Sequence, residues 1–152
     1  MKKGFTLVEI MIMVMLVSLL SLFSITNILR IRVNANETVA ITALRTISTA
    51  MESYRAAQSI PAYPEELATL TDALPPYIDL TLSSAIDEDH PRQGYFYSYS
   101  RVSANQYTCT AKPAVLNKTG TRCFFVNETG AIRWAMGMDC DADSRLLESA
   151  GY

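Results

Sequence analysis

Lys2-Lys3-Gly4-Phe5-Thr6-Leu7-Val8-Glu9 opens the chain, and the run that follows, residues 10–29, carries no charge. As a helix that run spans about 30 Å, the thickness of a bilayer's hydrocarbon core. Glu9 is the one charge between residues 5 and 29, and simple anchoring does not account for it. A charge in a membrane helix costs about 2.5–3.5 kcal/mol at the centre, less toward the end, and usually marks a site with a partner. Two readings of Glu9 stand side by side. Thr6-Leu7-Val8-Glu9 fits a capping box, Thr6 as N-cap and Glu9 reaching back to its amide, and an acid in the first turn suits the helix dipole. Alternatively, a cut between Gly4 and Phe5 creates a positive amine at Phe5 for a carboxylate to neutralise inside the membrane, its own or a neighbour's. Composition does not choose between them.

Outward from this stretch, Arg30 and Arg32 sit where long side chains reach a membrane boundary. Beyond them Ala40, Leu44, Ile47, Met51 and Tyr54 recur at alternating spacings of four and three, which predicts an amphipathic helix with one face to bury. Glu37, Arg45, Ser48, Glu52 and Arg55 are assigned to its other faces. No proline or glycine interrupts residues 5–59. Ser18, Ser21, Ser24, Thr26 and Asn27 weaken helix propensity only modestly, so any local melting starts there. Pro61 and Pro64 end the long helix. Pro64-Glu65-Glu66-Leu67-Ala68-Thr69-Leu70 reads as a short helix with proline first and acids in its first turn, stopped by Pro75-Pro76. Residues 77–89 read as a surface loop. From Gly94 the pattern turns to strands: 95–99, 106–112, 121–127 and 131–134, broken by Ser103-Ala104-Asn105, Thr119-Gly120 and Thr129-Gly130. The expected fold is α+β: a long N-terminal helix, its amphipathic part packed on an antiparallel meander of about four strands. Residues 136–152 form a tail without a clear pattern.

The 152 residues suit one small domain plus an appendage. The formal charge of −2 becomes −4 if residues 1–4, with Lys2 and Lys3, are removed. Such a balance excludes an ordinary nucleic-acid binder. Lys2 and Lys3 on one side of the apolar run are matched by Arg30 and Arg32 on the other, so loop charge sets no orientation. Val33-Asn34-Ala35 has the small residues of a secretory cleavage site. The apolar run, however, exceeds the 7–15 residues of a signal core, and two arginines separate it from that site.

Lys-Gly-Phe-Thr-Leu-Val-Glu followed by an unbroken apolar helix resembles the N-terminus of type IV pilins and type II secretion pseudopilins. The likeness is strong over residues 1–30, moderate to about residue 57, and general for the head. There Gly-Tyr-Phe-Tyr, Tyr-Thr-Cys-Thr-Ala-Lys-Pro and Phe-Phe-Val-Asn-Glu-Thr-Gly-Ala-Ile-Arg are similar to strands of pilin-like proteins. Many pilins carry a helix-breaking proline in the membrane half, which this chain lacks. The resemblance implies four segments: a leader over residues 1–4, an assembly helix that crosses the membrane over 5–30, its amphipathic continuation over 31–60, and a head over 61–152. It implies cleavage after Gly4 by a prepilin peptidase on the cytoplasmic side, methylation of the Phe5 amine, and pairing of Glu9 with the Phe5 amine of an adjacent subunit. The precursor would be single-pass in an inner membrane, its partners an assembly platform and identical or related subunits of a pilus-like helical filament. A secretion pseudopilin is the alternative within the family. A membrane-anchored enzyme is the alternative outside it, and a head of about 90 residues without a convergent catalytic set argues against that.

Three cysteines permit one bond and leave one thiol over. Cys109 and Cys123 lie on neighbouring expected strands and face each other if the register agrees. Cys123 with Cys140 would instead close a loop near the C-terminus, as in many pilins; both pairings stay open. Asp139, Asp141 and Asp143 alternate like the start of a calcium loop, but Ser144 stands where an EF-hand needs glycine and Ala150 where it needs glutamate. Some pseudopilins bind calcium in loops after their strands; here a solvated acidic tail is the expectation, with no cofactor. His90, the single histidine, sits in an acidic loop without a triad or a second imidazole. Asn36, Asn117 and Asn127 head Asn-x-Thr sequons read as chance in a prokaryotic filament. Tyr95, Phe96, Tyr97, Tyr99, Phe124 and Phe125 are read as packing residues, since half of any strand faces the core, rather than as a ligand platform or an electron path.

Overall fold

The computed structural model describes residues 4–147, with the side chains of residues 22–27 outside the description. Helix α1, Leu7–Ala57, comprises 51 residues, in keeping with the absence of proline and glycine. Contacts divide the chain at Arg32/Val33 into an N-terminal unit and a head unit. In the N-terminal unit every described side chain from Gly4 to Ser21 is exposed. Among the described residues no helix is long and apolar enough to cross a membrane. The expected membrane-crossing stretch needs residues 22–27, whose side chains fall outside the description; the structure therefore does not show that part of the reading.

In the head unit, Ala40, Leu44, Ile47 and Met51 are fully buried and Ala43 and Ala50 nearly so, with Tyr54 packed beside them. The expected stripe is thus the buried face. Removing a side chain such as Leu44 or Ile47 from water stabilises by about 1.5–3 kcal/mol. The stripe packs on an antiparallel sheet in sequential order, β1 Tyr95–Ser103, β2 Gln106–Pro113, β3 Arg122–Asn127, β4 Arg133–Met136 and β5 Arg145–Leu146. The sheet has five strands, one more than expected. Its fifth, β5, is a two-residue pairing of Arg145 with Trp134 and Leu146 with Arg133 in the part of the chain that carried no clear pattern. Strand β2 alternates strictly, with Tyr107, Cys109, Ala111 and Pro113 inward and Thr108, Thr110 and Lys112 outward, as a sheet covered on one face requires. In β3, by contrast, Cys123, Phe124, Phe125 and Val126 are all buried. Phe124 and Val126 join the core with α1, while Cys123 and Phe125 lie on the opposite face. Residues 137–147 return across that face, tied by Lys112–Asp139 (3.4 Å) and by Arg133 Nη1 donating to the Ser144 carbonyl (3.1 Å).

Two local readings need correction. The short helix after Pro64 begins later, as α2 Ala68–Asp72, so Pro64 is not its first residue and Glu65 and Glu66 precede it. Residues 77–89 are not loop throughout: Leu80–Ser83 form α3, whose Leu82 plugs into the core at 1 % exposure. Four of the tyrosines packed in the head have tethered hydroxyls. Tyr95 donates to the Arg122 carbonyl (2.7 Å), Tyr99 to the Pro64 carbonyl (2.5 Å), Tyr107 to Ser48 Oγ (3.2 Å) and Tyr63 to Glu52. Burial pushes the Tyr107 hydroxyl up to about 12.

Candidate functional site

At the N-terminal end, Gly4 has open space around it and Phe5 is 75 % exposed. Thr6 caps α1. The Glu9 amide donates to Thr6 Oγ1 at 3.3 Å, and the Thr6 amide donates to Glu9 Oε2 at 3.5 Å. The reciprocal capping box read from the sequence is formed. The carboxylate remains exposed and retains acceptor capacity, so the box does not preclude a further partner for Glu9. Ser18 and Ser21 donate their hydroxyls to the Val14 and Val17 carbonyls (2.7 and 2.9 Å), leaving an apolar surface around them. Met1, Lys2 and Lys3, the rest of the expected leader, lie outside the described residues.

The residue that sequence reasoning misplaced is Glu37. Assigned to a solvent-facing side, it is instead 2 % exposed. Its Oε1 accepts from the Thr121 amide (2.9 Å) and hydroxyl (2.7 Å), and its Oε2 from Arg122 Nε (2.7 Å) and Nη2 (2.6 Å). Burial pushes the Glu37 carboxyl up, but these donors outweigh it and hold the group below the ordinary carboxylate value. Arg122 in turn lies over the rings of Trp134 (5.2 Å) and Phe124 (5.7 Å). Beside it, Asn36 Nδ2 donates to the Thr119 carbonyl (2.9 Å), which ties up the first sequon. The signal was present: Glu37 precedes Ala40 by three and Leu44 by seven, on the same helical stripe.

The strand register separates Cys109 from Cys123. Cys109 pairs with Val126, and it is Phe124 that stands opposite Ala111, so the two cysteines project from opposite faces of the sheet. The expectation that they face each other fails because the register is shifted by an odd number of residues. Cys109 is enclosed in the core, and burial pushes its thiol up to about 12. Cys140 instead lies against Cys123. Hydrogen bonding between these two thiols lowers Cys123 and raises Cys140.

The aspartates do not converge. Asp139 pairs with Lys112, and Asp141 Oδ1 accepts from the Asp143 amide and the Ser144 hydroxyl (3.1 and 3.0 Å). Among the described residues no cluster of three His, Cys, Asp or Glu side chains is placed to hold a metal. His90 is a surface residue paired with Asp87 (3.0 Å). Asn127 Oδ1 accepts from the Thr129 amide and hydroxyl in the expected turn. Compared with models of protein families, with curated proteins and with solved structures, the chain finds no match.

Proposed function

We infer that this chain is a structural subunit of a type IV pilus-like filament. It is made as a membrane-inserted precursor, cut after Gly4 by a prepilin peptidase, methylated at Phe5 and assembled through its N-terminal helix. One observation carries the reading: the segment Gly4-Phe5-Thr6-Leu7-Val8-Glu9 leads into a 51-residue helix that is exposed and, after Glu9, largely apolar up to Ser21, while Ala40, Leu44, Ile47 and Met51 of the same helix are buried in a head. An exposed surface that apolar needs cover, and lipid followed by neighbouring helices supplies it in turn. The role is one of assembly, without catalysis or a cofactor.

Mass spectrometry of the chain from membranes of its native host tests this. The expected N-terminus is N-methylated Phe5, and a bulky residue in place of Gly4 should leave the precursor uncut. A mature chain that begins at Met1 or at Asn36 would refute the reading.

A further inference from the structure

The loop joining β2 to β3, residues 114–121, exposes Val115 (48 %) and Leu116 (40 %) next to Lys118, its one ionisable residue. Singly exposed apolar residues need no explanation. This pair is different because the chain holds it so firmly. The Val115 carbonyl accepts from the Lys118 amide (3.1 Å), the Thr119 amide (2.9 Å) and the Thr119 hydroxyl (3.1 Å). Asn117, at φ 64°, closes the turn onto the Gly120 carbonyl (2.8 Å). The base is fixed from both sides, by the Ala114 amide on the Gly94 carbonyl (2.9 Å) and by Asn36 and Glu37 on Thr119 and Thr121. Gly94, at φ +76°, gives way to Thr119: a Cβ there would stand 2.8 Å from Thr119 Cβ. The turn therefore cannot fold its apolar pair inward without breaking several bonds.

Its place along the chain says what the pair meets. It is fastened to α1 at Asn36, four residues after Arg32, the last charge before the head. Even a fully extended tether of that length spans only about 14 Å, so the fastening stays close to Arg32, at the expected membrane boundary, whatever angle the head takes. We propose that residues 115–118 form a second membrane contact of the precursor. In this contact Val115 and Leu116 dip into the headgroup region of the bilayer that holds α1, and Lys118 remains at the phosphates. An apolar pair with a flanking cation suits that boundary. The inference rests on the membrane-inserted precursor proposed above and adds to it a lipid-facing site on the head.

The test uses the full chain in phosphatidylcholine vesicles with a minor phosphatidylglycerol fraction. In a Trp134→Phe background, Leu116→Trp places the single indole on the loop and Leu20→Trp places it in the apolar run. Phosphatidylcholine brominated near its headgroup end should remove about half the emission of Leu116→Trp, as befits a ring ~5–10 Å into the boundary. Lipid brominated at mid-chain should quench it less. Leu20→Trp should be quenched by brominated lipid in either case. If Leu20→Trp is quenched and Leu116→Trp is indifferent to bromine, the loop contact is wrong and the membrane reading stands. A blue-shifted but unquenched Leu116→Trp would mean cover by protein, which also overturns the contact. If neither is quenched, the membrane-inserted precursor itself is refuted, and the contact with it. Val115→Trp carries the same test should Leu116→Trp lose the near-ultraviolet dichroism of the folded head.

Discussion

Glu9 and Glu37 lie in one continuous helix and live in opposite surroundings. Glu9 is exposed in the first turn, bonded to Thr6 three residues away. Glu37 is shut from water, and its donors come from Thr121 and Arg122, more than eighty residues on. The described hydrogen-bonding side chains around Glu9 reach only along their own helix; after Val33 the threonines still do so, but Asn36, Glu37 and Ser48 bond to the sheet and the loop at its edge. Helix formation is thus the same in both stretches, and what differs is who covers the surface. The head supplies its own cover for the stripe from Ala40 to Met51; the stretch before Ser21 is exposed, and the proposed function assigns its cover to lipid and then to neighbouring subunits.

The strongest attack on this contrast is Glu37→Ala. It strands Arg122 beside two rings and leaves the Thr121 amide without its acceptor. Loss of one partner of a buried pair typically costs about 3–5 kcal/mol; because Arg122 is partly exposed and can hydrate, the lower end is expected. Denaturant unfolding of the full chain in detergent, followed by near-ultraviolet dichroism, should show that loss. A change below about 0.5 kcal/mol, ordinary for a surface site, would mean that Glu37 does not fasten the loop.

The thiols come next in size. Exported material should contain one intramolecular bond, Cys123 to Cys140, seen by non-reducing digestion, with Cys109 free. Cys140→Ser should then lower head stability by about 2–3 kcal/mol, from the chain entropy of a loop this long. A Cys109–Cys123 linkage would contradict the register of β2 and β3.

Acid should reveal Glu37 more gently. Its folded value lies below the ordinary 4.5, so its stabilising share is present above that value and lost as pH falls through the depressed one. Asp79, lowered by the Thr81 hydroxyl, and Asp87, lowered by His90, act in the same direction from exposed sites. Thermal midpoints should be flat from neutrality to about pH 5 and fall below it, less steeply in Glu37→Gln. Equal slopes would remove Glu37 from the account.

The smallest effect is expected at Tyr97. Its ring is buried, its hydroxyl has no partner among the described residues, and burial pushes that hydroxyl up to about 12. Tyr97→Phe removes an unpaired polar group and should be neutral or stabilising by up to ~1 kcal/mol. A clear loss of stability would point to a partner, such as a water, at that hydroxyl.

What the sequence made legible was local or periodic. The Thr6–Glu9 box could be read because both partners lie within one turn. The stripe from Ala40 to Met51 could be read because its spacing repeats. Strand β2 announced itself by alternation. Glu37 could not be read, although it keeps the stripe's spacing, because a carboxylate is buried only where donors await it, and Thr121 and Arg122 are distant in the chain. Strand β5 is two residues long and exists through its pairing with β4. The separation of Cys109 from Cys123 depended on register, which a one-residue slip inverts and which no local pattern set.

The central claim, that the exposed stretch is made for other copies of the chain, turns on Glu9→Gln. As a capping partner alone, glutamine is acceptable in the same box, and only a few tenths of a kcal/mol from the helix dipole would be lost. As the partner of a neighbour's Phe5 amine inside the membrane, Glu9 has no such substitute. The stranded charge costs about 3–5 kcal/mol per subunit, lowering association more than about a hundredfold. Sheared surface fibres and cleaved membrane precursor should be quantified in the same cells, wild type against Glu9→Gln. The account predicts wild-type amounts of cleaved precursor with an unaltered head, and fibres all but absent. Normal fibre yield from cleaved Glu9→Gln chain would contradict it.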